Sequence, residues 1–260
     1  MKKRKSQKTV DAKSGAARVG LARALSKLGY CSRSEAVELI RAGKTQLNGS
    51  LTRNPEAPVR MGKDRIAVEG RAVAAETKIY LVLNKPRGVV TTASDERGRE
   101  TVYSLLPADT AWVGPVGRLD MASEGLLLLT NDTEWAARVA APETHLRKIY
   151  HVQISVVADG ELVSELGRGF AGEGGEVLRV ASAEILRAGE KNSWLEIVLE
   201  EGKNRQIRRM FAARGIEVLR LIRVAIGPLA LADLVKGQCR SLAPTEKLAI
   251  DLAMQRASKR

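Results

Sequence analysis

Cysteine is scarce in this chain: of 260 residues only Cys31 and Cys239 carry a thiol, and they lie far apart. Two cysteines in no paired spacing exclude a disulfide framework and a structural zinc site, and they fit a reducing, cytoplasmic setting. Histidine is equally rare. His145 and His151 have no cysteine nearby and do not form a His-Glu-x-x-His pair, so no metal centre is expected. No apolar run approaches the ~18 residues that a membrane span requires. The basic stretch from Met1 to Val10 leads into no apolar segment, so it does not read as a secretory signal. Gly43-Lys44-Thr45 has the ending of a phosphate-binding loop, but Glu38 stands where that loop needs a glycine. No Gly-x-Ser-x-Gly elbow is present, which removes one large class of hydrolases.

Acidic residues are the minority: 30 Asp and Glu face 43 Lys and Arg, for a net charge of +13 and a pI of about 10.0. An excess this large in a chain of this size points to a polyanionic partner, most often a nucleic acid. Its distribution is uneven. Residues 1–18 carry seven basic residues against one Asp, and residues 247–260 carry four against one. Only +4 is left for residues 19–246. A phosphate-binding face on the folded part would therefore have to come from local clustering. Nothing in the pattern demands an oligomer, so a monomer is the default expectation.

Residues 1–17 are rich in Lys, Ser, Ala and Gly without apolar periodicity and read as a disordered basic arm. From Val19 the pattern changes. Leu21, Leu25 and Leu28 recur at helical spacing up to Gly29, and Ser32-Arg33-Ser34-Glu35 is a capping box that opens a second helix ending at Gly43. Strands are expected at Thr45–Leu47, running into the Asn48-Gly49 turn, and at Arg65–Val68. Residues 18–72 thus form a small module of two helices and a hairpin sheet, with Arg23, Lys27, Arg33, Arg41 and Lys44 as its cations. A linker at 73–78 leads to a larger domain at 79–250, followed by a basic tail at 251–260. In that domain strands are expected at 79–83, 111–116, 125–130, 148–157, 177–187 and 193–200, and helices at 101–106, 132–140, 159–168 and 203–214. Strands outnumber helices without regular βαβ alternation, so the fold class is α+β with a mixed or antiparallel sheet.

Three segments carry the chemistry. Gly117-Arg118-Leu119-Asp120 is a turn that opens onto the apolar run Leu126–Leu129 and places a carboxylate beside a cation, Arg118 lying on the same side as Asp120 if the segment is extended. Such a pair alone also describes a surface ion pair. In Lys148-Ile149-Tyr150, strand alternation puts the ammonium and the phenol on one face. Aromatic residues are only 3% of the chain, so a tyrosine in a motif carries weight, and its ring could stack on a base. Glu201–Phe211 reads as a strand end, a Gly turn and a helix start on which Arg205, Arg208 and Arg209 fall near one face, a pattern that also fits a solvated phosphate-binding surface. Lys85 and Arg87, in Asn84-Lys85-Pro86-Arg87-Gly88, add a fourth basic turn.

In this order the motifs resemble the RNA pseudouridine synthases of the ribosomal RsuA/RluB type, and residues 18–72 resemble the RNA-binding module named after a small-subunit ribosomal protein. The resemblance implies isomerisation of uridine to pseudouridine in ribosomal RNA, preferably the 23S RNA of the large subunit, by a redox-neutral reaction that needs no cofactor. It makes Asp120 the catalytic aspartate and Tyr150 the residue that stacks on the base. Arg208, or else Arg205, becomes the partner of Asp120. Arg118 would fill the gap left by the extruded base, and Ile207 or Leu221 would form an apolar floor under Tyr150. Lys148, Arg205, Arg209, Lys85 and Arg87 would contact RNA, as would Arg23, Arg33, Arg41 and Lys44 of the small module. The motifs leave open whether the carboxylate attacks C1′ or removes the 2′ proton to give a glycal. A tRNA substrate, or a noncatalytic role in ribosome assembly on the same fold, are the alternatives.

Overall fold

The computed structural model describes residues 18–93, 95–171 and 176–257, and the basic arm expected at 1–17 lies outside them. The chain divides into two compact units, one up to Ala75 and one from Glu76. The first contains β1 (Arg18–Gly20), α1 (Leu21–Leu28), α2 (Arg33–Arg41), β2 (Thr45–Leu47), β3 (Ser50–Thr52), β4 (Pro58–Arg60), β5 (Ile66–Val68) and β6 (Arg71–Ala72). Gly29 ends α1 in the left-handed region, and the Ser32 hydroxyl accepts the Glu35 amide at 3.1 Å to start α2. Leu21, Leu25, Ala36, Ile40, Val59 and Val68 form a core belonging to this unit alone.

The second unit runs through β7 (Tyr80–Lys85), β8 (Gly114–Pro115), β9 (Glu124–Thr130), α3 (Thr133–Ala140), β10 (Lys148–Ile154), α4 (Gly160–Arg168), β11 (Phe170–Ala171) and β12 (Val177–Leu178). It continues with β13 (Ser182–Ala188), β14 (Ser193–Leu199), α5 (Gln206–Ala212), β15 (Val218–Ile226), β16 (Leu229–Ala230), β17 (Cys239–Ser241) and α6 (Pro244–Ala257). Its main sheet has the order β13-β14-β10-β15-β9-β7-β17, with β8 and β16 added beside β9 and β15. Every pairing in it is antiparallel except β9 with β15, so the sheet is mixed as expected.

Strand β9 shows why its apolar run is unbroken. Leu126 and Leu128 pack toward Trp135, Ile250 and Met254, whereas Leu127 and Leu129 pack toward Leu83, Val102 and Leu119. A strand covered on both faces needs apolar residues at every position. Each of these fully buried leucines contributes roughly 1.5–3 kcal/mol.

The structure corrects the expectations in several places. The helix expected at 101–106 is a single 3-10 turn, Val102–Leu105, and the strand expected at 111–116 shrinks to β8. The segment 177–187 is divided between β12 and β13, because Val180 turns into the core at the break. Residues 251–257 are not tail but the end of α6, whose Ile250 and Met254, four apart, are buried against the sheet. Val73, expected in the linker, still packs on the first core.

Candidate active site

Asp120 sits in the loop between β8 and β9, four residues before the strand begins. That loop is held carbonyl by carbonyl. The Thr91 hydroxyl donates to the carbonyl of Leu119 at 2.7 Å, and the Ser123 amide donates to that of Asp120 itself at 2.9 Å. The Gly88 amide donates to Met121 at 2.8 Å, the Arg208 guanidinium to Ala122 at 3.0 Å, and the Lys85 ammonium to Ser123 at 2.8 Å. Five consecutive carbonyls are thus fixed by donors from three separate segments. A reacting group on such a loop is placed as firmly as one on a strand. Leu119 is buried in the core, so Arg118 and Asp120 on either side of it both face outward.

Two cavities meet at this loop. One, of about 580 Å³, is walled by Arg118, Asp120, Lys148, Tyr150, Ile207 and Leu221. The other, of about 620 Å³, is walled by Thr91, Arg97, Arg118, Asp120, Arg205 and Arg208. Both volumes fall in the range of small-molecule sites. The first combines the Asp120 and Glu201 carboxylates with an aromatic ring and aliphatic side chains, which suits a flat heterocycle. The second is rich in guanidinium groups, which suits phosphate.

Tyr150 lies between two cores and is packed against both. Alternation along β10 holds: Lys148 and Tyr150 face the cavity, and Val152 and Ile154 continue the same face into the core. Ile207 and Leu221 are both buried, and both line the cavity with Tyr150.

The arginines of the 201–211 segment do not share one helical face. Arg205 precedes α5 with φ +47, a left-handed value unusual for any residue but glycine, and this brings it to the wall of both cavities. Arg208 turns toward the Asp120 loop, donating to Ala122 and, at 3.1 Å, to the carbonyl of Val218. Burial lowers its guanidinium from the usual arginine value, and the charge of Asp120 acts in the opposite direction. Arg208 is therefore an electrostatic neighbour of Asp120, while its hydrogen bonds go to the loop's backbone. Arg209 leaves the site altogether and pairs with Glu176.

Lys85 also departs from expectation. It was expected among the RNA contacts, yet it is fully buried, because β7 carries it under the Asp120 loop. Burial pushes its ammonium down to about 8, against the favourable charges of Glu124 and Asp120. Arg87 is exposed and donates to the Leu219 carbonyl at 3.4 Å. In the first unit Arg23, Arg33, Arg41 and Lys44 are exposed, Lys44 being paired with Glu69 at 2.7 Å.

Sequence reasoning missed Thr91, Ser123 and Arg223. Arg223, on β15, is 6% exposed and lines the first cavity. Its side chain crosses the one parallel pairing of the sheet, where Gly125 approaches Arg223 so closely that an added Cβ would lie 2.3 Å from the Arg223 carbonyl oxygen. A glycine immediately before the leucine run was the available signal for this approach.

Residues 79–213 match the model of the RNA pseudouridylate synthase family, and residues 19–66 match the S4 domain. The chain is 37% identical over 228 residues to ribosomal large subunit pseudouridine synthase B of Bacillus subtilis, covering 87% of this chain and 93% of that one. It is 36% identical over 219 residues to an uncharacterized RNA pseudouridine synthase of Aquifex aeolicus, covering 84% and 88%. A crystal structure of a pseudouridylate synthase superposes with a TM-score of 0.66 at 28% identity, over 89% of this chain and 99% of that one. The chain belongs to the RNA pseudouridine synthases of the RsuA/RluB type, isomerases that here carry an S4 module ahead of the synthase domain.

Proposed function

We propose that this enzyme isomerises a specific uridine of ribosomal RNA to pseudouridine, with the 23S RNA of the large subunit as the preferred substrate. The observation that carries the reading is the Asp120 loop. Five gripped carbonyls present one carboxylate at the junction of an apolar, tyrosine-lined cavity and an arginine-lined one. The preference for the large subunit is supported by the name of the Bacillus subtilis relative.

In this mechanism the target nucleotide leaves the RNA stack, at a cost of a few kcal/mol. Arg118 takes the vacated place, and Arg205 and Arg87 hold neighbouring phosphates. The base enters over Ile207 and Leu221 and stacks on Tyr150. Asp120 then acts at the sugar, either by attack on C1′ or by removal of the 2′ proton. Arg208 sets its positive charge near the carboxylate and fixes the loop through Ala122. The S4 module, as residues 18–72, supplies backbone contacts through Arg23, Arg33, Arg41 and Lys44.

The test is chemical mapping of pseudouridine in ribosomal RNA and tRNA from a strain lacking the gene, rescued by wild type or by Asp120→Asn. One lost site in 23S RNA, restored by wild type alone, is the expected result. A lost site in 16S RNA or tRNA would replace the substrate, and full rescue by Asp120→Asn would remove Asp120 from its role.

A further inference from the structure

The cavity beside Asp120 contains a buried charge whose hydrogen-bonding capacity the protein leaves largely unused. Arg223 projects from β15 on the same face as Leu221 and is the cross-strand partner of Tyr150. Its Nε donates to the Leu126 carbonyl at 2.8 Å, but its Nη2 is buried without a hydrogen-bond partner. The Ser123 hydroxyl, on the wall of the same cavity, is likewise buried and unpartnered. Lys148 lines the cavity too, and burial together with the charge of Arg223 lowers its ammonium from the usual lysine value.

A guanidinium offers five donors, and taking it out of water is costly unless acceptors replace the lost hydration. Asp120 is the group that acts at the sugar, and the other nearby carboxylates are committed elsewhere. Glu124 is held by Arg220 and Lys236, and Glu201 by Gln206 and Lys203. The missing acceptor must come from what enters the cavity. Ile207, Leu221 and the Tyr150 ring line the same space, so the acceptor belongs to a flat, largely apolar group rather than to a hydrated phosphate.

We propose that Arg223, with Ser123 and Lys148 beside it, binds a carbonyl oxygen of the extruded uracil and stabilises the base while it is detached from the sugar. This rests on the uridine-isomerising reading above. When the N1–C1′ bond breaks, its electron pair leaves with the base and is shared among N1, O2 and O4. C1′ is satisfied either by a new bond to the Asp120 carboxylate or by loss of the 2′ proton. After the base turns, C5 supplies the pair for the C5–C1′ bond as the C1′–Asp120 bond breaks or the 2′ carbon regains its proton; the C5 proton is then lost, and N1 takes up a proton. Negative charge therefore resides on the carbonyl oxygens between the two bond changes, where a fixed, desolvated cation acts most strongly.

The experiment measures single-turnover pseudouridine formation in transcribed 23S and 16S RNA, RNA binding over a salt series, and thermal unfolding, for wild type, Arg223→Met, Arg223→Lys and Ser123→Ala. Arg223→Met should slow turnover by about 10²–10³-fold. It should leave RNA affinity within about threefold and keep or raise the melting temperature, because an under-partnered buried charge has been removed. Arg223→Lys should recover part of the rate, and Ser123→Ala should lose about tenfold with the fold intact. Unchanged turnover in Arg223→Met overturns the proposal. So does weaker binding with a salt slope reduced by about one, which would mark a phosphate contact. Melting and rate that fall together in Arg223→Met, with full activity in Ser123→Ala, would make Arg223 a strut for Leu126 and also overturn it. A wild-type protein that modifies neither RNA, nor bulk tRNA, would instead remove the underlying reading and the inference with it.

Discussion

The two units of this chain handle basic residues in opposite ways. In the first, Arg23, Arg33, Arg41 and Lys44 are exposed on a small module with its own core. In the second, Lys85 and Arg223 are buried and Arg208 is half-buried, and each donates to a backbone carbonyl of the Asp120 loop or β9. An exposed cation attracts phosphate at any position on a chain and is screened by salt. A buried one has a single geometry, is little screened, and can hold a loop or stabilise a developing charge. On the proposed function the same residue types would serve affinity in one unit and chemistry in the other, with burial deciding which.

The strongest way to break the second arrangement is through its backbone. Gly125 has φ +101, and the Cβ of an alanine there would meet the backbone of Arg223 at 2.3 Å. Gly125→Ala should therefore separate β9 from β15, with a loss of several kcal/mol in urea unfolding and most soluble expression. The first unit should keep its own structure. If Gly125→Ala melts like wild type, the close parallel pairing does not set the geometry of the site. Next in size is Arg208→Met, which removes the donor to Ala122 and the charge near Asp120 together. Turnover should fall by about 10²–10³-fold with RNA affinity within about threefold. Equal losses in rate and affinity would assign Arg208 to phosphate binding instead.

What could be read in the sequence follows the same division. The first unit was legible because its signals are local: Leu21, Leu25 and Leu28 at helical spacing, the Ser32 cap and the Asn48-Gly49 turn all act within a few residues. The motifs around Asp120 and Tyr150 were legible for the same reason. The support of the Asp120 loop was not, because Lys85, Thr91 and Arg208 reach it from separate segments and only the fold brings them together. Strand β15 was hidden by Arg220 and Arg223, which interrupt its apolar pattern. One is paired with Glu124 and the other is buried against β9, so neither marks a break in the strand. Helix α6 was hidden by its charges. Glu246 pairs with Arg240 and Lys247 with Asp251, which leaves Ile250 and Met254 to face the core.

A milder perturbation addresses the exposed half of the comparison. Arg23, Arg33 and Arg41 changed together to Ala should weaken RNA binding and reduce its salt slope by up to about three. Single-turnover rate at saturating RNA should stay within about twofold, because none of the three lies in the unit that contains Asp120. A salt slope equal to that of wild type would show that these cations do not meet the phosphate backbone.

The smallest effect tests the buried half through pH. The Lys85 ammonium titrates near 8 in the folded protein, below the ordinary lysine value, because burial disfavours its charge. Below pH 8 the group is charged in both folded and unfolded chains, and its desolvation opposes folding throughout that range. Between pH 8 and the ordinary lysine range the unfolded chain holds a proton that the folded chain has released, so this group makes stability rise with pH. Tyr80 and Tyr103, whose hydroxyls are raised, contribute with the opposite sign at still higher pH, so the wild-type profile alone is not decisive. The difference between wild type and Lys85→Met in urea unfolding from pH 7 to 10 isolates the lysine. Relative to the variant, wild type should gain stability progressively above pH 8. A flat difference would mean that Lys85 carries its charge under the Asp120 loop at the same cost as in water, and that the loop is gripped by hydrogen bonds alone.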